Sequence, residues 1–497
     1  MNKHFENLKT YTDKIADIKH AISLLNWDQE TYMPSKGQSF RAQQIATLSG
    51  MAHEIATSEA YEASILSLNE DASLSEIEAR NVQLLKRDLE KAKKLPASFV
   101  VRLSQASSKA FHSWISARKK NDFTIFQPAL KEMVAIQQEK AEIYGYQDHI
   151  YDALMDDYEP KASVQEIDTL FKDVKSQLSP LLAKIADAPQ VEDGFMYKPY
   201  GKDQQWKYGM DILAQLGYDL EAGRQDLSEH PFSTSFSPND VRVTTRVNEN
   251  NLYDMLWSCI HECGHALYEQ GLKPEQYGLP CGEAVSLGIH ESQSRFYENN
   301  IGRSREFWSH NYASLQQSFP SQLGGVELND FYRAVNIVKP SLIRTDADEL
   351  SYHFHIMIRY EIEKQLIEGS LAVSDVKEAW NNAYRTYLNI EVPSDNEGVL
   401  QDVHWSHGGF GYFPTYSLGS FYAAQFEAKM LKDIPQMRAD IAKGEFTKTL
   451  SWLRENIHQH GRRYSSQELC SKATGEELKF EYFMDYAKKK YGEIYGI

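Results

Sequence analysis

The chain has 497 residues, of which 42% are hydrophobic, and this length is sufficient for a large buried core. Its 53 basic and 70 acidic residues give a formal net charge of -17, which argues against nucleic acid as a partner because nucleic-acid binding requires basic surface. The sequence contains no run of about 18 apolar residues, so we expect neither a membrane-spanning helix nor a membrane partner.

The N-terminal residues 1–7 lead into a charged amphipathic helix without an apolar signal core. Together with a content of only four cysteines, this predicts a cytoplasmic protein. No linker rich in Pro, Gly or Ser and no internal repeat is found, so we expect a single catalytic domain over residues 1–497. Apolar residues recur with helical periodicity in four segments, residues 77–94, 130–144, 164–178 and 421–432.

Apolar and polar residues nearly alternate from residue 240 to residue 247, which predicts a strand in an otherwise helical chain. On that strand Asp240, Arg242 and Thr244 would share one face, where Arg242 could contact a substrate. The alternative is an Asp240–Arg242 pair that braces the sheet.

The most informative stretch is His261-Glu262-Cys263-Gly264-His265, which lies within a helical pattern. Positions i and i+4 stand about 6 Å apart on one helix face, so the two imidazoles could bind one metal ion. Glu262 would then lie close to the metal and could take a proton from water. The other interpretation is a chance match among 16 histidines, which need not fall on a helix.

A third metal ligand is expected downstream, beyond a turn rich in glycine and proline. Glu291 is the first choice, although the sequence by itself favours it only weakly over Glu283, Glu298 and His290. Two histidines and one carboxylate leave zinc an open position for water, which is the catalytic arrangement, and the same ligands also accept cobalt and manganese.

A structural zinc site is not expected, because the cysteines lack paired CxxC spacing and instead indicate buried thiols. They are Cys259, Cys263, Cys281 and Cys470. The helical periodicity and the single alternating segment predict a fold that is mainly α: one large helical unit with a small β-sheet beside the HExxH zinc site.

The chemistry that this site favours is hydrolysis of an amide, whose oxyanion intermediate needs hydrogen-bond donors besides the metal. Several donors crowd the glycine-rich segment of residues 398–416. Glycines let a backbone approach a ligand closely, although the segment could also be an aromatic turn packed under the core.

These residues resemble the M32 family of metallocarboxypeptidases, of the carboxypeptidase Taq type, and weaker similarity extends to both ends of the chain. Five segments carry the resemblance in the family's order: Asp240-Val241-Arg242-Val243-Thr244, residues 261–265, His290-Glu291-Ser292-Gln293, residues 343–349 (Ile343-Arg344-Thr345-Asp346-Ala347-Asp348-Glu349) and residues 398–405.

The resemblance implies a cytoplasmic, homodimeric enzyme with a deep substrate groove. Such an enzyme removes one amino acid at a time from the free C-termini of peptides, using zinc or cobalt. It also implies that His261, His265 and Glu291 bind the metal and that Glu262 is the base. The other functions considered are a zinc oligoendopeptidase without carboxylate recognition and a non-catalytic protein that binds metal or peptide.

A carboxypeptidase must recognise a free carboxylate, for which the planar fork of arginine is well suited. Arg344 is the first candidate and Arg242, with Asp240 beside it, the second. Arg344 could instead form a surface ion pair with Asp346 or Asp348. Residues 345–348 also suggest a capping box that opens a helix running to about residue 366, in which Asp348 serves the backbone.

His404 and Tyr412 are expected to contact the oxyanion or the substrate, with His407 and Tyr416 as substitutes. Their order resembles that of the histidine and tyrosine donors in the distantly similar angiotensin-converting enzyme group. His353 and His355 lie two positions apart on a predicted helix and so on different faces, which indicates ordinary core or surface histidines.

Overall fold

A computed structural model describes residues 2–497, which are mainly α-helical with one small sheet, as expected. The first helices are α1 (Lys3–Thr31), α2 (Gln38–Ala56), α3 (Glu59–Leu68), α4 (Glu76–Lys94), α5 (Ala97–Lys120), α6 (Gln127–Tyr144), α7 (Asp152–Met155), α8 (Val164–Asp187), α9 (Lys202–Leu216) and α10 (Leu252–Glu269). They are followed by α11 (Leu287–Arg295), α12 (Arg305–Ser318), α13 (Pro320–Leu323), α14 (Leu328–Ala334), α15 (Tyr352–Glu368), α16 (Val376–Leu388), α17 (Pro414–Asp433), α18 (Met437–Ile441), α19 (Thr447–Asn456), α20 (Ser466–Thr474) and α21 (Glu481–Tyr495).

The sheet has three strands, β1 (Gly223–Leu227), β2 (Ser233–Ser237) and β3 (Asp240–Thr245), in the order β1-β3-β2. Strand β1 runs parallel to β3, and β2 runs antiparallel to β3 with an irregular register near its end. The strand expected from the alternation at residue 240 is confirmed as β3.

Helix α10 carries the HExxH stretch and begins with an N-cap at Asn251, whose side chain accepts a hydrogen bond from the N–H of Tyr253. The helix is buried on most sides because it packs against α9, α11, β2 and β3. The small sheet therefore lies beside the HExxH helix, as predicted from the sequence.

Contacts divide the chain into two compact units, each assembled from three separate segments. The first unit comprises the residues up to Glu90 together with Val191–Val335 and Tyr422–Leu478. The second comprises Lys91–Gln190, Asn336–Phe421 and Lys479–Ile497. The single catalytic domain over residues 1–497 stays a prediction.

The first unit has a hydrophobic cluster that joins its N-terminal helices to the loop before α11. Its buried members are Phe5, Leu8, Ile15, Tyr61, Ile65, Leu68, Val82, Leu85, Leu89 and Leu279. In the second unit α15 is the central helix, with buried residues around most of its circumference and packing against α6, α8 and α16.

The four segments with helical periodicity all form helices. Two of these helices extend well beyond the residues over which the periodicity was seen. Helix α8 continues beyond residue 178 because Leu181 and Ile185 extend its buried face, even though Pro180 lies inside the helix. Helix α17 already begins at Pro414. None of the helices formed by residues 2–497 combines the length and the hydropathy that a membrane span requires.

Candidate metal centre and neighbouring polar clusters

Helices α10 and α11 bring His261, His265 and Glu291 together within the first unit. The Nε2 atoms of His261 and His265 lie 3.8 Å and 3.5 Å from the Oε2 atom of Glu291. Four ligands placed tetrahedrally at zinc-like bond lengths stand roughly 3.4 Å from one another. The three side chains therefore fit a single small divalent cation.

The imidazole of His261 is oriented by a carboxylate on its far side. Its Nδ1 atom lies 2.8 Å from Oε2 of Glu298, which belongs to the π-helix Phe296–Ile301 directly after α11. Glu298 is held in turn by Arg295 at 3.1 Å and Arg303 at 3.3 Å. A hydrogen bond from Nδ1–H to this carboxylate leaves Nε2 of His261 available for a metal.

His265 is contacted on its far side by a second imidazole rather than by a carboxylate. Its Nδ1 atom lies 2.6 Å from Nδ1 of His290, and Nε2 of His290 lies 2.9 Å from Oε1 of Glu269. His290 and Glu298, both considered as alternative ligands, thus contact the side chains of His265 and His261, and Glu283 forms an ion pair with Arg462 at 2.9 Å.

One carboxylate oxygen of Glu291 is held by Arg295, and the other faces the two imidazoles. The Nε–H of Arg295 donates to Oε1 at 2.7 Å, and Oε2 faces the two imidazoles while accepting from the Ser294 hydroxyl at 3.1 Å. Burial opposes ionisation of Glu291, but Arg295 and the two histidines outweigh it and lower the pKa well below its usual range.

The surroundings shift the pKa values of His261 and His265 in opposite directions. Burial lowers the pKa of His265 to about 4, so its imidazole is neutral at pH 7, the form that binds metals. Burial also acts against protonation of His261, but the carboxylates of Glu291 and Glu298 raise the pKa of that residue. The negative surroundings that attract a proton to His261 would equally attract a cation.

Glu262 lies between the two histidines on α10 and is 8% exposed. Burial is the main cause that raises its pKa to about 7, while His261 and a hydrogen bond with Ser233 of strand β2 act in the opposite direction. A carboxylate with this affinity for a proton can both accept and return one near neutral pH.

Of the two arginines considered for carboxylate recognition, Arg242 on β3 is already paired. Its Nε and Nη2 atoms donate to the two carboxylate oxygens of Asp240 at 2.9 Å and 3.0 Å. Its guanidinium also stacks over the ring of Trp27, 4.5 Å from the ring centroid. The alternative considered from the sequence, an Asp240–Arg242 pair on the sheet, is therefore present.

Arg344 lies in the second unit, where it is buried, and the carboxylate that it contacts is that of Asp402. Its Nε and Nη2 atoms donate to Oδ1 of Asp402 at 3.0 Å and 2.9 Å, while Nε of Arg359 donates to Oδ2 at 2.6 Å. The alternative of a surface ion pair with Asp346 or Asp348 is wrong, because the ion pair is buried and formed with Asp402.

The backbone role expected for Asp348 is confirmed, but the position of the helix is not. Asp348 accepts hydrogen bonds from the N–H groups of Leu350 and Ser351, both at 2.9 Å. Residues Arg344–Asp346 form a short 3-10 helix, and Ala347 is extended, so α15 begins only at Tyr352. The carboxylate of Asp348 thus holds the turn that precedes α15.

The glycine-rich segment brings His404, Tyr412 and Tyr416 together in the second unit. His404 Nε2 lies 3.2 Å from the Tyr416 hydroxyl, and the rings of His404 and Tyr412 are 5.3 Å apart. Burial lowers the pKa of His404 to about 4, so the ring is neutral at pH 7. His407 has a different contact, since its ring stacks on Phe111 with centroids 4.9 Å apart.

The remaining histidine and cysteine predictions are confirmed. His353 and His355 are fully buried in α15 and contact Ser417 and Tyr384, respectively. All four cysteines are buried free thiols.

Sequence reasoning missed two residues around the candidate ligands: Arg295, which holds Glu291, and Glu269, which contacts His290. It considered His290 and Glu298 only as metal ligands and not as partners of His265 and His261. Glu269 did carry a signal, because it follows His265 by four positions and so lies on the same helix face.

The chain is similar to known proteins over almost its whole length. The family described as Carboxypeptidase Taq (M32) metallopeptidase matches residues 7–491. Carboxypeptidase 1 of Bacillus subtilis is 41% identical, with 98% of each chain aligned, and thermostable carboxypeptidase 1 of Thermus thermophilus is 40% identical, with 99% of each chain aligned. The crystal structure of M32 carboxypeptidase from Deinococcus radiodurans R1 superposes with a TM-score of 0.98 at 38% identity, covering 100% of both chains.

Proposed function

The chain belongs to the carboxypeptidase Taq (M32) family and is a metallocarboxypeptidase, and we propose that it uses zinc to release single amino acids from free peptide C-termini. The observation that carries the proposal is the convergence of His261 Nε2, His265 Nε2 and Glu291 Oε2 beside Glu262. Cobalt is a possible substitute, because the same ligand set accepts it.

A divalent metal bound by these ligands supplies positive charge that polarises a carbonyl and acidifies water. Glu262 takes the proton from the attacking water and returns it to the departing amine. Its burial suits this role, since a buried carboxylate holds a proton more readily than an exposed one. The hydrogen bond with Ser233 orients the carboxylate.

Arg344 is proposed to bind the C-terminal carboxylate of the substrate, with Arg242 as the second candidate. Asp402, which is itself held by Arg359, fixes the orientation of the Arg344 fork. This supports the choice because a pre-oriented guanidinium loses little entropy on binding. Asp240 then acts by holding Arg242.

His404 and Tyr412 are proposed to contact the oxyanion or the substrate, with His407 and Tyr416 as substitutes. Neutral imidazole and phenol groups can both donate hydrogen bonds, and His404, Tyr412 and Tyr416 lie in one cluster. A cytoplasmic location and a homodimeric state complete the proposal, and the four buried free thiols are compatible with a reducing compartment.

The test is mass spectrometry of the products formed from one unblocked peptide and from its C-terminally amidated form, with and without a chelator. Stepwise, chelator-sensitive loss of residues from the unblocked peptide alone is the expected result. Internal cuts in both peptides would show an oligoendopeptidase, and intact peptides in every reaction would show a non-catalytic binding protein.

A further inference from the structure

Three side chains form a row that starts at the candidate metal position and ends at a carboxylate. His265 and Glu269 lie on α10, and His290 lies between them on α11. The two imidazoles are joined Nδ1 to Nδ1 at 2.6 Å, and His290 Nε2 is 2.9 Å from Oε1 of Glu269. Glu269 is also hydrogen-bonded to Ser235 on strand β2.

The hydrogen atoms in this row can be placed from the carboxylate end. An ionised carboxylate only accepts hydrogen bonds, so Nε2 of His290 must carry the hydrogen that it shares with Glu269. When the imidazole of His290 carries only this hydrogen, its Nδ1 has a lone pair and accepts from His265. The hydrogen of His265 consequently lies on Nδ1, and its lone pair lies on Nε2.

This placement has a direct consequence for metal binding. Nε2 of His265 is the atom that lies 3.5 Å from Oε2 of Glu291, on the side where the three ligand atoms converge. The opposite tautomer would place a hydrogen there and would exclude a metal from that nitrogen.

We propose that His290 and Glu269 are positioning residues that hold His265 in its metal-binding tautomer. The inference rests on the proposed function, because it assigns a role relative to the ligands His261, His265 and Glu291. It makes the two ligand histidines different: His261 is oriented directly by the carboxylate of Glu298, and His265 is oriented through an intervening imidazole.

A role in packing alone is the competing explanation for His290. Its ring lies 5.3 Å from that of Tyr268 and 4.5 Å from that of His265, so it fills space between aromatic groups. A phenylalanine would preserve that packing but could neither accept from His265 nor donate to Glu269. A glutamine could do both, because its amide oxygen accepts and its amide nitrogen donates.

The experiment measures the zinc dissociation constant of the full chain by competition with a chromogenic chelator. His290→Phe is expected to weaken zinc binding about 10- to 100-fold, the usual effect of losing a residue that orients a metal-binding histidine. His290→Gln is expected to bind within about threefold of wild type. His353→Phe, at a buried histidine of α15, is the control for general loss of core packing and should leave zinc affinity unchanged.

Equal zinc affinity in wild type and His290→Phe, or equally weak binding by the phenylalanine and glutamine variants, would overturn the positioning role. If the variants do not fold, nitrogen-15 NMR of the zinc-loaded wild-type protein decides, since Nδ1–H on His265 and Nε2–H on His290 are the expected tautomers and any other pattern contradicts them. Failure of the proposed function has a separate signature: wild type would bind no zinc, or His261→Ala would bind it as tightly as wild type.

Discussion

Gly264 lies so close to Gln293 that a β-carbon at position 264 would be 2.5 Å from the carbonyl oxygen of Gln293. It would also be 2.6 Å from Cα of Ser294. The backbones of α10 and α11 therefore meet at the residue that immediately precedes His265. This close approach is what brings Glu291 within reach of both imidazoles.

Gly264→Ala is expected to destabilise the protein by about 1–3 kcal/mol, because backbone atoms of α11 must move to admit the new methyl group. The same displacement should weaken zinc binding. Urea unfolding and chelator competition measure the two effects. The control is Gly50→Ala in α2, where an added β-carbon meets nothing within 4 Å and should stabilise the helix by roughly 0.5–1 kcal/mol. Similar stability of both variants would refute the steric argument.

Glu262→Gln should retain zinc content near that of wild type and lose roughly 10²–10⁴-fold in turnover, since an amide cannot accept the proton of water. Metal content by elemental analysis and kcat on an unblocked peptide check the two halves of this prediction. Loss of both zinc and activity would make Glu262 a structural residue, and undiminished turnover would remove it as the base.

Arg344→Ala is expected to lower kcat/KM for unblocked peptides about 100-fold, since a charge-assisted bidentate contact contributes about 1.5–3 kcal/mol. Arg242→Ala should have a clearly smaller effect, because Arg242 is paired with both carboxylate oxygens of Asp240, whereas Arg344 shares the single carboxylate of Asp402 with Arg359, which leaves one positive charge uncompensated. Steady-state kinetics on one unblocked peptide compare the two variants. The reverse order of effects would transfer carboxylate recognition to Arg242.

Asp402→Asn should cost about 3–5 kcal/mol of stability, because it removes the carboxylate charge from two buried guanidinium groups. Arg344 is 8% exposed and Arg359 is fully buried. Glu391→Gln provides the comparison, since its ion pair with Arg385 is exposed and should contribute no more than about 1 kcal/mol. Equal losses measured by urea unfolding would show that burial of the Asp402 cluster has no energetic consequence.

Glu363 should make stability depend on pH between about 4.5 and 7. Burial raises its pKa from 4.5 to about 7 despite hydrogen bonds from Tyr151, Trp405 and Gly411. The folded state therefore keeps a proton that the unfolded chain releases in this range, so the stabilising contribution is complete below pH 4.5 and is lost as the pH rises through 7.

Glu363→Gln lacks this titration, so the free energy of unfolding of wild type should fall relative to that of the variant by up to about 3 kcal/mol between pH 4.5 and pH 7. Parallel urea unfolding at several pH values measures the difference. A constant difference between the two proteins would show that Glu363 is ionised throughout this range in the folded state.

The helix that carries the candidate ligands His261 and His265 could be predicted from the sequence because its signal is local. The spacing of His261 and His265 is set by the helix repeat, and the apolar residues before them already define the buried face of α10. The choice of Glu291 as the third candidate ligand was harder, because three other candidates lie near it in sequence and the choice depended on resemblance to a family.

The contacts that orient the candidate ligands and the candidate substrate-binding residues could not be predicted from the sequence in the same way. Arg344 pairs with a carboxylate 58 positions away, and no periodicity links such distant residues. The start of α15 was placed too early because Asp348 does bind backbone N–H groups, but at a turn rather than at the helix terminus. Side-chain pattern alone does not distinguish these two uses of aspartate.

The division of each unit into three chain segments affects how the protein can form during translation. All the candidate ligands and the residues that hold them have been synthesised once the ribosome has passed residue 303, yet the unit that contains them also requires Tyr422–Leu478. The second unit is completed later still, by residues up to Ile497. The unit that contains α10 and α11 is therefore complete only about 175 residues later, at Leu478, which at roughly 5–20 residues per second corresponds to some 9–35 seconds of synthesis.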